Sequence, residues 1–87
     1  MTKKELIAKY EAEVEFESEM FVRYYKEDDS TMLGVYESGM QELYHTPYAL
    51  SRMGVIKESE LNEMINIFED GCEKIKIETG YRSESWR

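Results

Sequence analysis

Two residues in the sequence have the spacing of known metal ligands. Glu42 and His45 are three positions apart, so on a helix their side chains lie one turn apart, as in the Glu-x-x-His pairs of di-iron bundles. Glu17 interrupts an otherwise apolar helix face, and a buried carboxylate needs a metal or another partner. Two copies of the chain could therefore build a metal site from Glu17, Glu42 and His45. The apolar positions around Glu42 predict instead that it points away from the core, so we expect no bound metal or cofactor.

A row of glutamates could act through charge alone. Glu11, Glu15 and Glu19 are four positions apart, which places all three on one side of a helix. Like charges at this spacing repel each other by about 0.2–0.5 kcal/mol per pair. The row is either a solvated helix face or a surface that imitates phosphates and inhibits a nucleic-acid-binding protein. Small acidic inhibitors of the second kind are typical of phages and mobile elements.

Tyrosine is frequent around the single proline. Tyr36 and Tyr44 precede Pro47 and Tyr48 follows it, in a chain with seven tyrosines and six methionines. Both residue types are favoured at protein interfaces, where a tyrosine ring can be apolar and hydrogen-bonded at once. The alternative is a core with a wet rim. We expect Tyr36, Tyr44 and Tyr48 to bind another protein, which includes a second copy of this chain.

The chain has no recognisable catalytic motif. It contains no phosphate-binding glycine loop, no paired-cysteine metal motif and no nucleophile elbow. Cys72 and His45 are its only cysteine and histidine. Cys72 falls on an apolar helix face, where a thiol packs as a small apolar group and is a poor nucleophile. We therefore expect that the protein is not an enzyme.

The charge balance limits the partners. The 87 residues carry a formal net charge of −8, and the sequence pI is about 4.6. An acidic surface repels phosphate backbones and anionic lipids, so direct binding to nucleic acid or to a membrane is disfavoured. A single cysteine forms no internal disulfide, and the first residues do not resemble a signal peptide. These observations predict a cytoplasmic protein.

Apolar spacing predicts helices along most of the chain. Hydrophobic residues recur every three or four positions within residues 2–26, 31–44 and 57–79. Pro47 is expected to stop or kink the middle helix, and a short new helix follows at residues 46–53. The sequence is therefore predicted to be all-α.

Two segments also alternate between polar and apolar residues, as half-buried strands do. Residues 11–19 place a glutamate at every second position, and because glutamate is depleted in strands a helix is preferred there. Residues 74–79 alternate Lys-Ile-Lys-Ile-Glu-Thr, and for them the choice between helix and strand stays open.

The expected architecture is a small helical hairpin or bundle. Two long helices flank the Pro-broken middle helix in one domain at residues 1–80, and a loose tail follows at residues 81–87. So short a chain buries limited apolar surface, so we expect dimerisation to complete the bundle. The leading hypothesis is a small helical interaction module or homodimeric accessory protein.

Overall fold

Three α-helices form the described part of the chain. The computed structural model describes residues 1–84 and Trp86. Within them, α1 spans Lys3–Lys26, α2 spans Ser30–Arg52 and α3 spans Glu58–Thr79. The described residues include no strand, so the predicted all-α class is confirmed.

Both alternating segments are helical, and in each the alternating apolar residues separate. In α1, Val14 is buried whereas Phe16 is 52% exposed. In α3, Ile75 is buried whereas Ile77 is 73% exposed. A strand would place both members of each pair on one face. The helical period instead keeps one member in the core and leaves the other on the surface.

Side chains and one glycine define the helix ends. The Thr2 hydroxyl accepts a hydrogen bond from the Glu5 backbone N–H at the start of α1. The Asp29 carboxylate does the same for Met32 at the start of α2. Gly80 ends α3 with φ at +79°, a conformation that suits glycine. These caps satisfy backbone groups that helix ends leave unpaired.

Helix α1 lies against both other helices, and its apolar side supplies much of the core. A β-carbon at Gly71 would come within 2.6 Å of the Val14 Cγ1 atom, so the absence of a side chain there lets α3 approach α1 closely. The fully buried side chains of the core are Val14, Ser18, Phe21, Met40, Pro47, Met64 and Ile75.

Helix α2 is continuous, so the predicted break at Pro47 is wrong. Proline has no backbone N–H, so the Leu43 carbonyl lacks its usual helical donor. The Tyr10 hydroxyl of α1 donates to that carbonyl at 2.6 Å instead. Pro47 is itself buried within the bundle. A hydrogen bond from a neighbouring helix therefore replaces the bond that proline removes.

The described part of the tail contacts the core. Trp86 is buried, and its ring centroid lies 5.5 Å from that of Phe21 and 5.9 Å from that of Tyr81. Its Nε1 group has no hydrogen-bond acceptor among the described residues. The loose tail was predicted for residues 81–87, of which Ser85 and Arg87 lie outside the described residues.

Several large apolar side chains remain exposed on the described surface. They are Met1, Phe16, Tyr25, Val35, Tyr48, Met53 and Ile77. None of the helices in the described part of the chain is both long and apolar enough to cross a membrane. Dimerisation stays a prediction.

Candidate protein-binding surfaces

A groove opens between α2, α3 and the tail. Its volume is about 400 Å³. Much of its lining is aromatic or apolar. We call it the aromatic groove and define it by Tyr44, Pro47, Tyr48, Phe68, Cys72 and Trp86.

Contacts between aromatic rings hold the walls of the aromatic groove in place. The Tyr44 ring lies 5.6 Å from the Phe68 ring and 5.8 Å from the Tyr48 ring, measured between centroids. Phe68 is buried, whereas 36% of Tyr48 is exposed. Tyr44 therefore connects a buried aromatic floor to an exposed aromatic rim, and its position is fixed from both sides.

The edge of the aromatic groove carries charges of both signs. Glu69 and Glu73 on α3 line it together with Lys76 and Arg82. Within the described residues, none of these four forms an ion pair. All four are exposed, so the edge can form ion pairs with basic or acidic groups of a bound chain.

A second groove, between α1 and α3, contains the predicted glutamate row. Glu11, Glu15 and Glu19 line it with Asp70 and Lys74, and its volume is about 400 Å³. The Lys74 Nζ atom lies 3.1 Å from the Glu19 Oε1 atom. We call it the acidic groove. One of its four carboxylates is thus paired within the chain.

The third surface is the outer side of the α1–α2 contact. Phe16 packs edge-on against Tyr36, with centroids 6.1 Å apart. Glu17 lies against Gly39, because a β-carbon at Gly39 would overlap its carboxylate. Val35 is one turn from Gly39 on the same side of α2, and 54% of it is exposed. We call this surface the α1–α2 face.

The Glu17 carboxylate has an unusual environment. Its Oε2 atom is buried and has no hydrogen-bond partner among the described residues. Burial raises the pKa of Glu17, and the nearby carboxylates of Glu13 and Glu42 raise it further. The sequence singled out Glu17 as a carboxylate on an apolar stripe, and this part of that reasoning fits its position in the structure.

The three tyrosines singled out in the sequence do not form one surface. Tyr44 and Tyr48 meet in the aromatic groove, whereas Tyr36 lies on the α1–α2 face. There its ring stacks on Tyr24 at 5.6 Å with an interplanar angle of 7°. Tyr36 and Tyr44 are eight positions apart, which rotates them about 80° around the helix.

The proposed metal ligands do not converge within one chain. Glu42 lies close enough to Glu17 to affect its pKa. His45 instead contacts Gln41, with 3.0 Å between the His45 Nε2 and Gln41 Nε2 atoms. Among the described residues, no three His, Cys, Asp or Glu side chains are grouped so that they could hold a metal ion.

Several residues of these surfaces were missed by the sequence reasoning. Phe68 falls within the predicted last helix and Trp86 within the predicted tail, and neither was singled out, although both line the aromatic groove. Phe16 was read only as part of the alternating segment. The available signal was its place on the helix, nearly opposite Val14, where a large aromatic side chain is expected to be exposed.

Comparisons with protein-family models, with curated proteins and with solved structures gave no match. Functional proposals for this chain therefore depend on its own geometry. The aromatic groove and the α1–α2 face combine exposed aromatic side chains with unpaired charges, and both are candidate binding surfaces.

Proposed function

We propose that this protein is a small binding module and that its aromatic groove holds an apolar segment of a partner protein. The observation that carries the proposal is an open concavity of about 400 Å³ whose lining includes Tyr44 and the exposed Tyr48. Concave apolar surfaces with a few polar groups are where proteins most often bind ligands.

The aromatic side chains of the groove are already packed in place, which favours binding. Aromatic rings offer a large contact area and lose little conformational freedom when they are buried. Tyr44 already packs between Phe68 and Tyr48, so little side-chain ordering is left to oppose association. The exposed charges at the edge would then fix the orientation of the bound segment. The described lining holds one thiol, Cys72, and no histidine, so we propose binding without catalysis.

Site-specific photo-crosslinking tests this proposal. A photoreactive amino acid replaces Tyr48 in one variant and Asn66 in a matched control, because Asn66 is exposed on α3 outside the groove lining. We expect position 48 to give one discrete crosslinked partner in host cells and position 66 to give none. The purified partner should then bind the wild-type protein at least about tenfold more tightly than Tyr48→Ala. Equal crosslinking at both positions would contradict the proposal.

The acidic groove supports a second candidate, the inhibition of a nucleic-acid-binding protein through imitated phosphates. Glu11, Glu15 and Asp70 form no ion pair within the described residues, so their charges are available to a basic partner. Binding of this kind weakens steeply with salt. We expect Glu11→Gln combined with Glu15→Gln to weaken the complex and to flatten its salt dependence. A complex insensitive to salt would exclude this mode.

We also propose that the protein acts in the cytoplasm and associates with a second copy. The single cysteine and the acidic charge support the first proposal. Exposed apolar side chains away from the α1–α2 face, such as Met53 and Ile77, on a chain of 87 residues support the second. Sedimentation equilibrium of the purified protein measures the mass, and a monomer at every concentration would contradict dimerisation.

A further inference from the structure

The α1–α2 face combines exposed apolar side chains with a carboxylate that lies against helix backbone. Phe16 and Val35 each expose about half of their surface, at 52% and 54%. Beside them, the Glu17 carboxylate lies on the α2 backbone in the space that Gly39 leaves free. An apolar patch of this kind is usually covered in a functional complex. Because a carboxylate lies at the edge of the patch, a partner that covers the patch would need a positive charge at that place.

Among the described residues, no cation pairs with the carboxylates on this face. Glu13 and Glu42 lie close enough to Glu17 to act on it electrostatically, and none of the three forms an ion pair in the described part of the chain. The neighbouring Arg23 is paired with Glu27 at 3.0 Å. Three carboxylates without an ion pair in the described residues therefore lie together where two helices meet, and Glu17 is the one with a buried oxygen atom.

We propose that the α1–α2 face binds a basic amphipathic helix of a partner protein, with Glu17 as the residue that pairs with a lysine or arginine of that helix. Two neighbouring helices form a groove into which a third can pack, with its apolar residues at every third or fourth position. The bound helix would complete a four-helix bundle. Its apolar side covers Phe16 and Val35, and its cation compensates Glu17, Glu13 and Glu42.

Charge complementarity selects a basic partner over a second copy of this chain. Each copy carries a formal net charge of −8. A twofold pairing through this face would place the three carboxylates of each copy in one shared interface, and an excess of like charge in an interface opposes association. This inference does not depend on the aromatic groove, which lies on the opposite flank of α2 and contacts α3.

The test uses a defined probe and the full chain. The probe is a peptide of about 18 residues, or five helical turns, in which leucines recur at every third or fourth position and lysines occupy the opposite helix face. A matched peptide carries glutamate in place of every lysine. Titration calorimetry compares wild-type protein with Glu17→Gln, with Phe16→Ala and with Glu63→Gln. Glu63 is an exposed glutamate of α3, so its variant loses the same charge away from the face.

We expect Glu17→Gln and Phe16→Ala each to weaken binding of the lysine peptide by about tenfold or more. Glu63→Gln should change it by less than about twofold, and the glutamate peptide should not bind. Circular dichroism should show that every variant remains helical and that Glu17→Gln unfolds at no lower temperature than wild type. Equal weakening by Glu17→Gln and Glu63→Gln would show that binding depends only on net charge, and this would overturn the proposal. A wild-type dimer that Phe16→Ala dissociates would overturn it as well.

Discussion

Two polar side chains on the same side of α1 meet α2 with opposite results. Tyr10 and Glu17 are seven positions apart, or about two helical turns. The Tyr10 hydroxyl donates to the Leu43 carbonyl that Pro47 leaves free. The Glu17 carboxylate reaches the α2 backbone at Gly39, and its Oε2 atom has no partner among the described residues. The contrast teaches that one end of this interface serves stability, whereas the other holds the carboxylate that we propose pairs with a cation of a partner.

The largest change in stability is expected when the Tyr10 hydroxyl, which has a hydrogen-bond partner, is removed. Tyr10→Phe keeps the ring but removes the donor, which leaves the Leu43 carbonyl part-buried without a partner. We expect a loss of about 1–3 kcal/mol in the free energy of unfolding. Urea denaturation followed by circular dichroism measures it. An unchanged midpoint would show that water replaces the hydroxyl.

A double-mutant cycle sharpens this reading. Pro47→Ala restores a backbone N–H that can bond to the Leu43 carbonyl. The change in stability caused by Pro47→Ala should therefore be more favourable by about 1 kcal/mol in the Tyr10→Phe background than in wild type. A coupling near zero would mean that the tyrosine and the proline act independently. The effect on packing of losing the Pro47 ring is present in both backgrounds and therefore cancels in the cycle.

The opposite sign is expected at the other end of the interface. Glu17→Met removes a buried atom without a partner and keeps an unbranched side chain that can pack beside Phe16. We expect the free energy of unfolding at neutral pH to rise by about 1 kcal/mol, together with weaker binding of the basic peptide. Differential scanning calorimetry provides the first measurement. A destabilised Glu17→Met variant would contradict the view that this carboxylate opposes folding.

Gly39→Ala tests the same site from the α2 side, and we expect a smaller change in stability. The new methyl group would push the Glu17 carboxylate, the end of a flexible side chain, towards solvent. Alanine is the better helix former by up to about 1 kcal/mol, so the variant should be as stable as wild type or slightly more stable. Gly71→Ala is the matched control. Its methyl group meets the buried Val14 and should destabilise the fold.

The smallest effect is a dependence on pH. The pKa of Glu17 is raised by burial and by Glu13 and Glu42, so the folded state favours the protonated carboxyl. Its contribution to stability is fully present below the ordinary pKa of 4.5 and is lost as the pH rises through the raised value. The advantage of Glu17→Met should thus be greatest at neutral pH and shrink in acid. Urea midpoints measured across this range check it.

The sequence was sufficient for what depends on local spacing. Three- and four-residue repeats predicted helical segments along most of the chain. Glu17 was recognised as an anomaly because its place on a helix follows from its number. Its relation to Gly39 could not be predicted, because spacing within one helix does not reveal which residue of another helix lies opposite.

The errors have the same cause. Pro47 breaks helices by a local rule, and the compensating donor is Tyr10, which is far away in the chain. Tyr36 was grouped with Tyr44 and Tyr48 because they are close in sequence, although the helix turns them to different neighbours. Predicting the candidate surfaces thus required knowledge of how the helices pack, whereas predicting the helices required only the spacing of residues in the sequence.

The single indole of this chain packs on Phe21, which α1 contributes to the core. Because an indole changes its emission when it moves from a protein interior into water, Trp86 provides an intrinsic optical reporter of tail docking. Far-ultraviolet dichroism follows the helices separately. Melting curves from the two signals would coincide if tail and bundle form one cooperative unit, and an earlier fluorescence change would identify the tail as a unit that opens first.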